Sequence, residues 1–262
     1  MAALFAVAVI YIAFLIALYF YQDKLVFPRA RPNWLLYEKL DRYSEEVISD
    51  GCSLQGWRID GSTPDSRLVC LYFGGNGDDP AQLFDSLSRV GVSCVYAFNY
   101  RGYGLSEGVP SEKHLFLDAL NIFDDLLRKN PEKNFVLMGH SLGSAVAGYL
   151  ASMRPVSGLV LLSPLFSITR IAKGAFFNLV PGFLIRHRFD LASYAKKIDV
   201  ASFVLVAKND LVIPSRDSLS MYEVLPGEKS LLELECGHND FFCLEKTFSE
   251  INGFLAAVDN PS

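Results

Sequence analysis

Cysteine is scarce and odd in number: Cys52, Cys70, Cys94, Cys236 and Cys243 are scattered over 262 residues with no CxxC pair. That spacing excludes an ordered disulfide framework or a cysteine-based zinc site. It points instead to buried, reduced thiols and leans toward a reducing compartment. Positive charge is short as well, with 24 Lys and Arg against 29 Asp and Glu and a formal net charge of −5. A nucleic-acid surface is not expected from such a balance. There is no G-x-G-x-x-G or Walker pattern, no internal repeat and no low-complexity tract, which removes nucleotide-phosphate loops and repeat arrays. Histidine is limited to four residues, His114, His140, His187 and His238, so any histidine chemistry has few places to sit.

Apolar residues, by contrast, make up 51% of the chain and aromatics 13%, enough for one large domain with a well-covered core. The opening segment MAALFAVAVIYIAFLIALYFYQ has no charged side chain before Asp23. As a helix it is long enough to cross a hydrocarbon layer of about 30 Å. It lacks the basic start and small-residue cleavage site of a signal peptide, so residues 1–24 are expected to form an uncleaved transmembrane anchor. Lys24, Arg29 and Arg31 after the span favour a cytoplasmic position for the domain that follows. The two prolines and two arginines of LVFPRARPNW mark residues 25–44 as a linker at the membrane surface, and 259–262 read as a short tail.

From 45 to 258 the pattern alternates. Continuous apolar runs such as SRLVCLYFGG, NFVLMGH, SGLVLLSP and SFVLVAKND predict buried parallel strands, and amphipathic stretches such as SEKHLFLDALNIFDDLLRKN predict helices that cover the sheet on both faces. EEVISDGCSLQGWRID reads as an early hairpin. The expected class is α/β. Residues 165–192, too apolar for an open loop and broken at Pro181-Gly182, predict a small helical cap above the sheet.

Within FVLMGHSLGSAVA the segment GHSLG fits G-x-S-x-G between a strand and a helix, the context that gives the pattern meaning. Two glycines without Cβ atoms permit a sharp turn that lifts the Ser141 hydroxyl above the sheet. A serine nucleophile needs a base, and the base needs an orienting acid. His238, on a glycine-containing loop after the last strand, is the best-placed base. His114 lies in an amphipathic helix, His187 in the cap, and His140 beside Ser141 on a turn where neighbouring side chains diverge. Asp210, just past the preceding strand, completes the order Ser, Asp, His. Asp240 stands close enough to His238 to remain an alternative acid, whereas Asp199 precedes its strand and Asp190 lies in the cap. In LYFGGNGDD a strand opens into glycines whose backbone N–H groups suit an oxyanion. The expected hole pairs the N–H of Leu142 with that of Asn76 or Gly75. Asp78 and Asp79 place negative charge where a phosphate would otherwise sit.

With FGGNG, NYRGYGLSEG, GHSLG, NDLVIP and CGHND in this order, residues 25 to 258 resemble the α/β-hydrolase superfamily. More narrowly, the chain is similar to its membrane-anchored members of the serine aminopeptidase-like branch. The resemblance implies an α/β-hydrolase fold, a triad of Ser141, Asp210 and His238, an oxyanion loop at Gly75 and Asn76, and hydrolysis without a cofactor or metal. Phe73 stands where many relatives carry His before the glycines. Arg101 in the second motif reads as a structural ion-pair partner. Two classes of function follow. One is a serine hydrolase acting on acyl esters or thioesters, with amide or peptide cleavage as its variant; the other is a membrane-tethered scaffold that has kept the fold without chemistry. On the first reading Ala175, Phe176, Phe177, Leu179, Val180, Phe183, Leu184 and Ile185 would line or cover an entrance for an acyl chain drawn from membrane lipid.

Overall fold

Each expected apolar run becomes a strand of one eight-stranded sheet. In the computed structural model, which describes residues 1–29, 31–176 and 178–260, the strands are β1 (Ser44–Ser49), β2 (Cys52–Asp60), β3 (Leu68–Phe73), β4 (Cys94–Phe98), β5 (Asn134–His140), β6 (Gly158–Leu162), β7 (Ser202–Ala207) and β8 (Lys229–Leu234). Their spatial order is β1-β2-β4-β3-β5-β6-β7-β8. β2 runs antiparallel to β1 and β4, and every pairing from β4 to β8 is parallel. The β1–β2 hairpin turns at Asp50 and Gly51, both at positive φ, as a tight two-residue loop demands.

The helices are α1 (Ala2–Val26), α2 (Trp34–Leu40), α3 (Phe84–Leu87), α4 (Glu112–Lys129), α5 (Leu142–Ala151), α6 (Ile168–Ala175), α7 (Leu191–Ala195), α8 (Ser215–Val224) and α9 (Glu245–Asp259). Ser111 caps α4 by accepting from the His114 N–H, and Leu115, Phe116, Ile122, Phe123 and Leu126 are its buried face. Leu117 is only half-buried, because Phe116 takes the core position and stacks on Tyr149 of α5 at 4.2 Å. The central strands β3 to β7 are buried on both faces, and because successive side chains of a strand point opposite ways, Leu137 and Leu161 enter one core, Val136, Met138, Val160 and Leu162 the other. This is the layered architecture expected for the chain.

Two boundaries differ from expectation. The first helix continues past residue 24 to Val26, and residues 25–44 are not a loose surface linker. Val26, Phe27, Tyr37 and Leu40 are buried. Tyr37 packs edge-on against Trp57 of β2 at 4.9 Å and donates to Asp79 at 3.0 Å. The apolar residues spaced through this segment are drawn into the core, which a local count of prolines and charges does not reveal. The cap region does form helices, α6 and the start of α7 with a 3-10 turn at Gly182–Leu184; Phe177, Pro261 and Ser262 lie outside the described residues.

Candidate active site

β3 and β5 are neighbours in the sheet although β4 and α4 lie between them in sequence, so a crevice opens at their carboxyl ends, the usual ligand position in such sheets. Ser141 is the residue after β5. Its backbone sits at φ 51°, ψ −117°, a strained geometry for a residue with a Cβ. The turn is over-determined: the Ser141 N–H donates to the Leu162 carbonyl at 3.0 Å, and the Ser141 carbonyl accepts from the Ser144 hydroxyl at 2.5 Å. The flanking glycines are required by space, since a Cβ on Gly139 would collide with the Gly143 carbonyl and one on Gly143 with the Phe73 carbonyl. Among the described residues the Ser141 hydroxyl has no hydrogen-bond partner, and it faces an apolar cavity of about 310 Å³.

Asp210 follows β7 and His238 follows β8, so both expected partners stand at the same sheet edge as Ser141. His238 Nδ1 meets Asp210 Oδ2 at 2.6 Å. The other carboxylate oxygen accepts from the N–H groups of Val212 at 2.8 Å and Ile213 at 2.7 Å. Burial alone would push the Asp210 carboxyl up, but the hydrogen bond and charge of His238, with those two N–H groups, hold it below the ordinary carboxylate value. The His238 ring lies 4.9 Å, centroid to centroid, from that of His140, the residue before Ser141. The alternative acid, Asp240, is engaged elsewhere: its Oδ2 accepts from the Gly237 N–H at 2.8 Å.

The loop after β3 corrects one detail. The Gly75 N–H donates to Asp78 Oδ2 at 2.6 Å, so it is not free for an oxyanion. The Asn76 N–H has no partner among the described residues, and Asn76 lines the cavity with Ser141 and Leu142. Leu142 is the first residue of α5, where the helix itself leaves an N–H without a partner, a donor of the kind that favours negative charge. Tyrosines of NYRGYG fix the loop: Tyr100 donates to the Gly74 carbonyl at 2.7 Å and Tyr103 to the Asn76 carbonyl at 2.9 Å. Burial pushes both phenols up, which keeps them protonated donors. Arg101 between them pairs with Asp118 of α4, Nε to Oδ2 at 3.0 Å, in a buried structural bond.

Sequence reasoning gave no role to the contact between His140 and Asp78. His140 is buried, with Nδ1 2.8 Å from Asp78 Oδ2. Burial raises the Asp78 carboxyl, but the charge and hydrogen bond of His140, with the Gly75 N–H and the Tyr72 hydroxyl, outweigh it and lower the net value. Asp78 therefore joins the loop after β3 to the turn before Ser141. The partners are 62 positions apart, and no local pattern links them. His187 Nε2 meets Asp23 Oδ1 and His114 Nδ1 the Val109 carbonyl. Among the described residues no cluster of His, Cys, Asp and Glu fits a metal ion. The five cysteines are unpaired; Cys70, Cys94 and Cys236 are buried, whereas Cys243 is exposed.

The chain matches known proteins along most of its length. The sequence model of the alpha/beta hydrolase fold matches residues 73–201. Alpha/beta hydrolase domain-containing protein 17C of Xenopus tropicalis is 31% identical over 242 residues, covering 84% of this chain and 75% of that one. Lysophosphatidylserine lipase ABHD12 of Danio rerio is 33% identical over 189 residues, 63% of this chain and 49% of the lipase. The chain thus spans about half the length of that relative. Among solved structures, an alpha-beta hydrolase from Vibrio vulnificus superposes with a TM-score of 0.72 at 20% identity, covering 91% of this chain and 92% of that one; at that identity the likeness is one of fold.

Proposed function

This chain belongs to the α/β-hydrolase family, and from that premise we propose that it is a membrane-anchored serine hydrolase cleaving acyl esters or thioesters through an acyl-enzyme. The observation that carries the reading is Ser141, held at positive φ with its hydroxyl unbonded on an apolar cavity. The Danio rerio relative is a lysophosphatidylserine lipase, which agrees with it.

In this account Ser141 Oγ attacks the acyl carbonyl carbon while His238 Nε2 takes its proton; Nδ1–H stays on Asp210, which fixes the tautomer and balances the imidazolium charge. The N–H groups of Asn76 and Leu142 receive the oxyanion beside the buried Ser141, where fixed donors stabilise the charge as it forms. His238 returns the proton to the departing alkoxide or thiolate, and a water then repeats the sequence to release the acid. The helix Ala2–Val26, with a mean hydropathy of 2.7 in its most apolar window, holds the enzyme at a bilayer. Lys24 and the arginines after it favour the cytoplasmic side for the domain. Turnover of p-nitrophenyl acetate and butyrate by the purified chain tests the reading: wild type hydrolyses both and Ser141→Ala neither, while equal rates from the two proteins remove Ser141 as nucleophile.

A further inference from the structure

The cavity that ends at Ser141 is not made by the hydrolase domain alone. One wall is α6 and the segment after it, with Ile171, Ala172 and Phe176; the opposite wall is the N-terminal helix, through Leu15, Leu18, Gln22 and Val26. These four recur at intervals of three and four, one stripe of a helix. They are less exposed than their neighbours on that helix. The helix is also bonded in place. Gln22 is buried, donating to the Leu184 carbonyl at 3.1 Å and accepting from the Arg186 N–H at 2.8 Å. Asp23 pairs with Arg186 and with His187, each at 2.8 Å. Farther along the span, Phe14 meets Phe176 edge-on at 5.7 Å and the Tyr11 hydroxyl donates to the Leu179 carbonyl at 2.7 Å.

The contact therefore reaches from Asp23, the first charge, back to Tyr11. That is about 18 Å of helix at 1.5 Å per residue, against a hydrocarbon layer of about 30 Å. A cap bonded along that length shares the depth of the helix in the bilayer. Its outer side is suited to that depth, since Leu179 is 55% and Phe183 78% exposed. Resting on the serine-hydrolase reading above, we propose that the anchor helix is a wall of the substrate pocket, and that the substrate is a lipid whose acyl chain enters from the leaflet along the seam between this helix and the cap. The anchor then selects the substrate as well as locating the enzyme. A soluble small ester would need neither an apolar wall from the span nor a cap at bilayer depth.

The test uses the full chain in phosphatidylcholine vesicles. Leu18→Trp pushes an indole into the pocket, whereas Ile16→Trp puts the same bulk on the outer, exposed side of the helix. The readout is the ratio of kcat/KM on p-nitrophenyl dodecanoate to that on the butanoate. Displacing two or three methylenes should lower this ratio about tenfold or more in Leu18→Trp, and Ile16→Trp should keep the wild-type ratio. Leu18→Phe, a smaller intrusion, should give a smaller fall in the same direction and serves if the Trp variant does not fold. Equal ratios in all four proteins overturn the wall. Equal kcat/KM for dodecanoate offered as dissolved monomer and offered in vesicles overturns entry from the leaflet. Occupancy is read without turnover by irradiating vesicles that carry a phosphatidylcholine with a diazirine at its acyl terminus. Adducts are expected on the cap peptide holding Ile171 and should be fewer in Leu18→Trp. Their absence overturns the proposal even in an active hydrolase, while adducts on a chain that hydrolyses no ester leave the pocket and overturn only the enzymatic reading.

Discussion

Asp210 holds His238 from one side only: Oδ2 takes the imidazole Nδ1 at 2.6 Å, while Oδ1 is occupied by the N–H groups of Val212 and Ile213. Both oxygens of the carboxylate are thus engaged, and its position is set by the loop that follows β7. An acid fixed in this way has a single orientation to offer the ring.

Asp210→Asn should fold, since its amide oxygen still accepts from the two loop N–H groups, and should lose roughly two to four orders of magnitude in kcat as the ring loses its tautomer and counter-charge. Asp240→Asn should stay within about threefold of wild type, because Asp240 caps the Gly237 N–H and not the ring. Steady-state rates on p-nitrophenyl butyrate decide. The reverse ranking would move the acid to Asp240.

Acid stability carries the same signature. The folded-state value of Asp210 is depressed, so the stability it contributes is complete above the unfolded value of about 4 and is lost as pH falls through the lower folded value. Urea midpoints between pH 7 and pH 3 should fall less steeply in Asp210→Asn than in wild type. Some dependence should remain from Asp78 and Asp124, whose carboxyls are also lowered. Parallel curves for the two proteins would contradict the depressed value.

The oxyanion loop should depend on its tyrosines. Tyr100→Phe frees the Gly74 carbonyl and Tyr103→Phe the Asn76 carbonyl, so the Asn76 N–H drifts from where charge develops. Each change should lower kcat about ten- to a hundredfold, with a smaller change in KM. Unchanged kcat in the double variant would show that the loop is held without them.

Gly143→Ala tests the elbow itself. The new methyl meets the backbone carbonyl of Phe73, which cannot rotate away as a side chain would. A cost of about 1–3 kcal/mol in urea unfolding is expected, together with loss of esterase activity. A variant as stable and active as wild type would mean that the turn has room the structure does not show.

The sheet was legible because its central strands are continuous apolar runs buried on both faces, and Ser141 and Asp210 were locatable because each follows such a run at the carboxyl edge, whereas His238 follows β8, an edge strand buried only in part. Two things were hidden. The bond between Asp78 and His140 joins residues far apart in sequence, and the same Asp78 oxygen accepts from the Gly75 N–H, which is then not free for an oxyanion. The segment 25–44 and the inner stripe of the first helix are recognised only by what they pack against. A helix apolar on every side reads as a membrane span whichever stripe meets protein, and Gln22, its one polar residue before Asp23 apart from the tyrosine hydroxyls, finds its partners at Leu184 and Arg186.

Ser141 is the proposed nucleophile of this chain. Reaction with a fluorophosphonate, followed by proteolysis and mass spectrometry, tests it most directly. A single phosphonyl adduct on the Ser141 hydroxyl is expected, formed quickly in wild type, absent in Ser141→Ala and slowed strongly in His238→Ala. An adduct on any other residue, or labelling of Ser141→Ala at the wild-type rate, would contradict it.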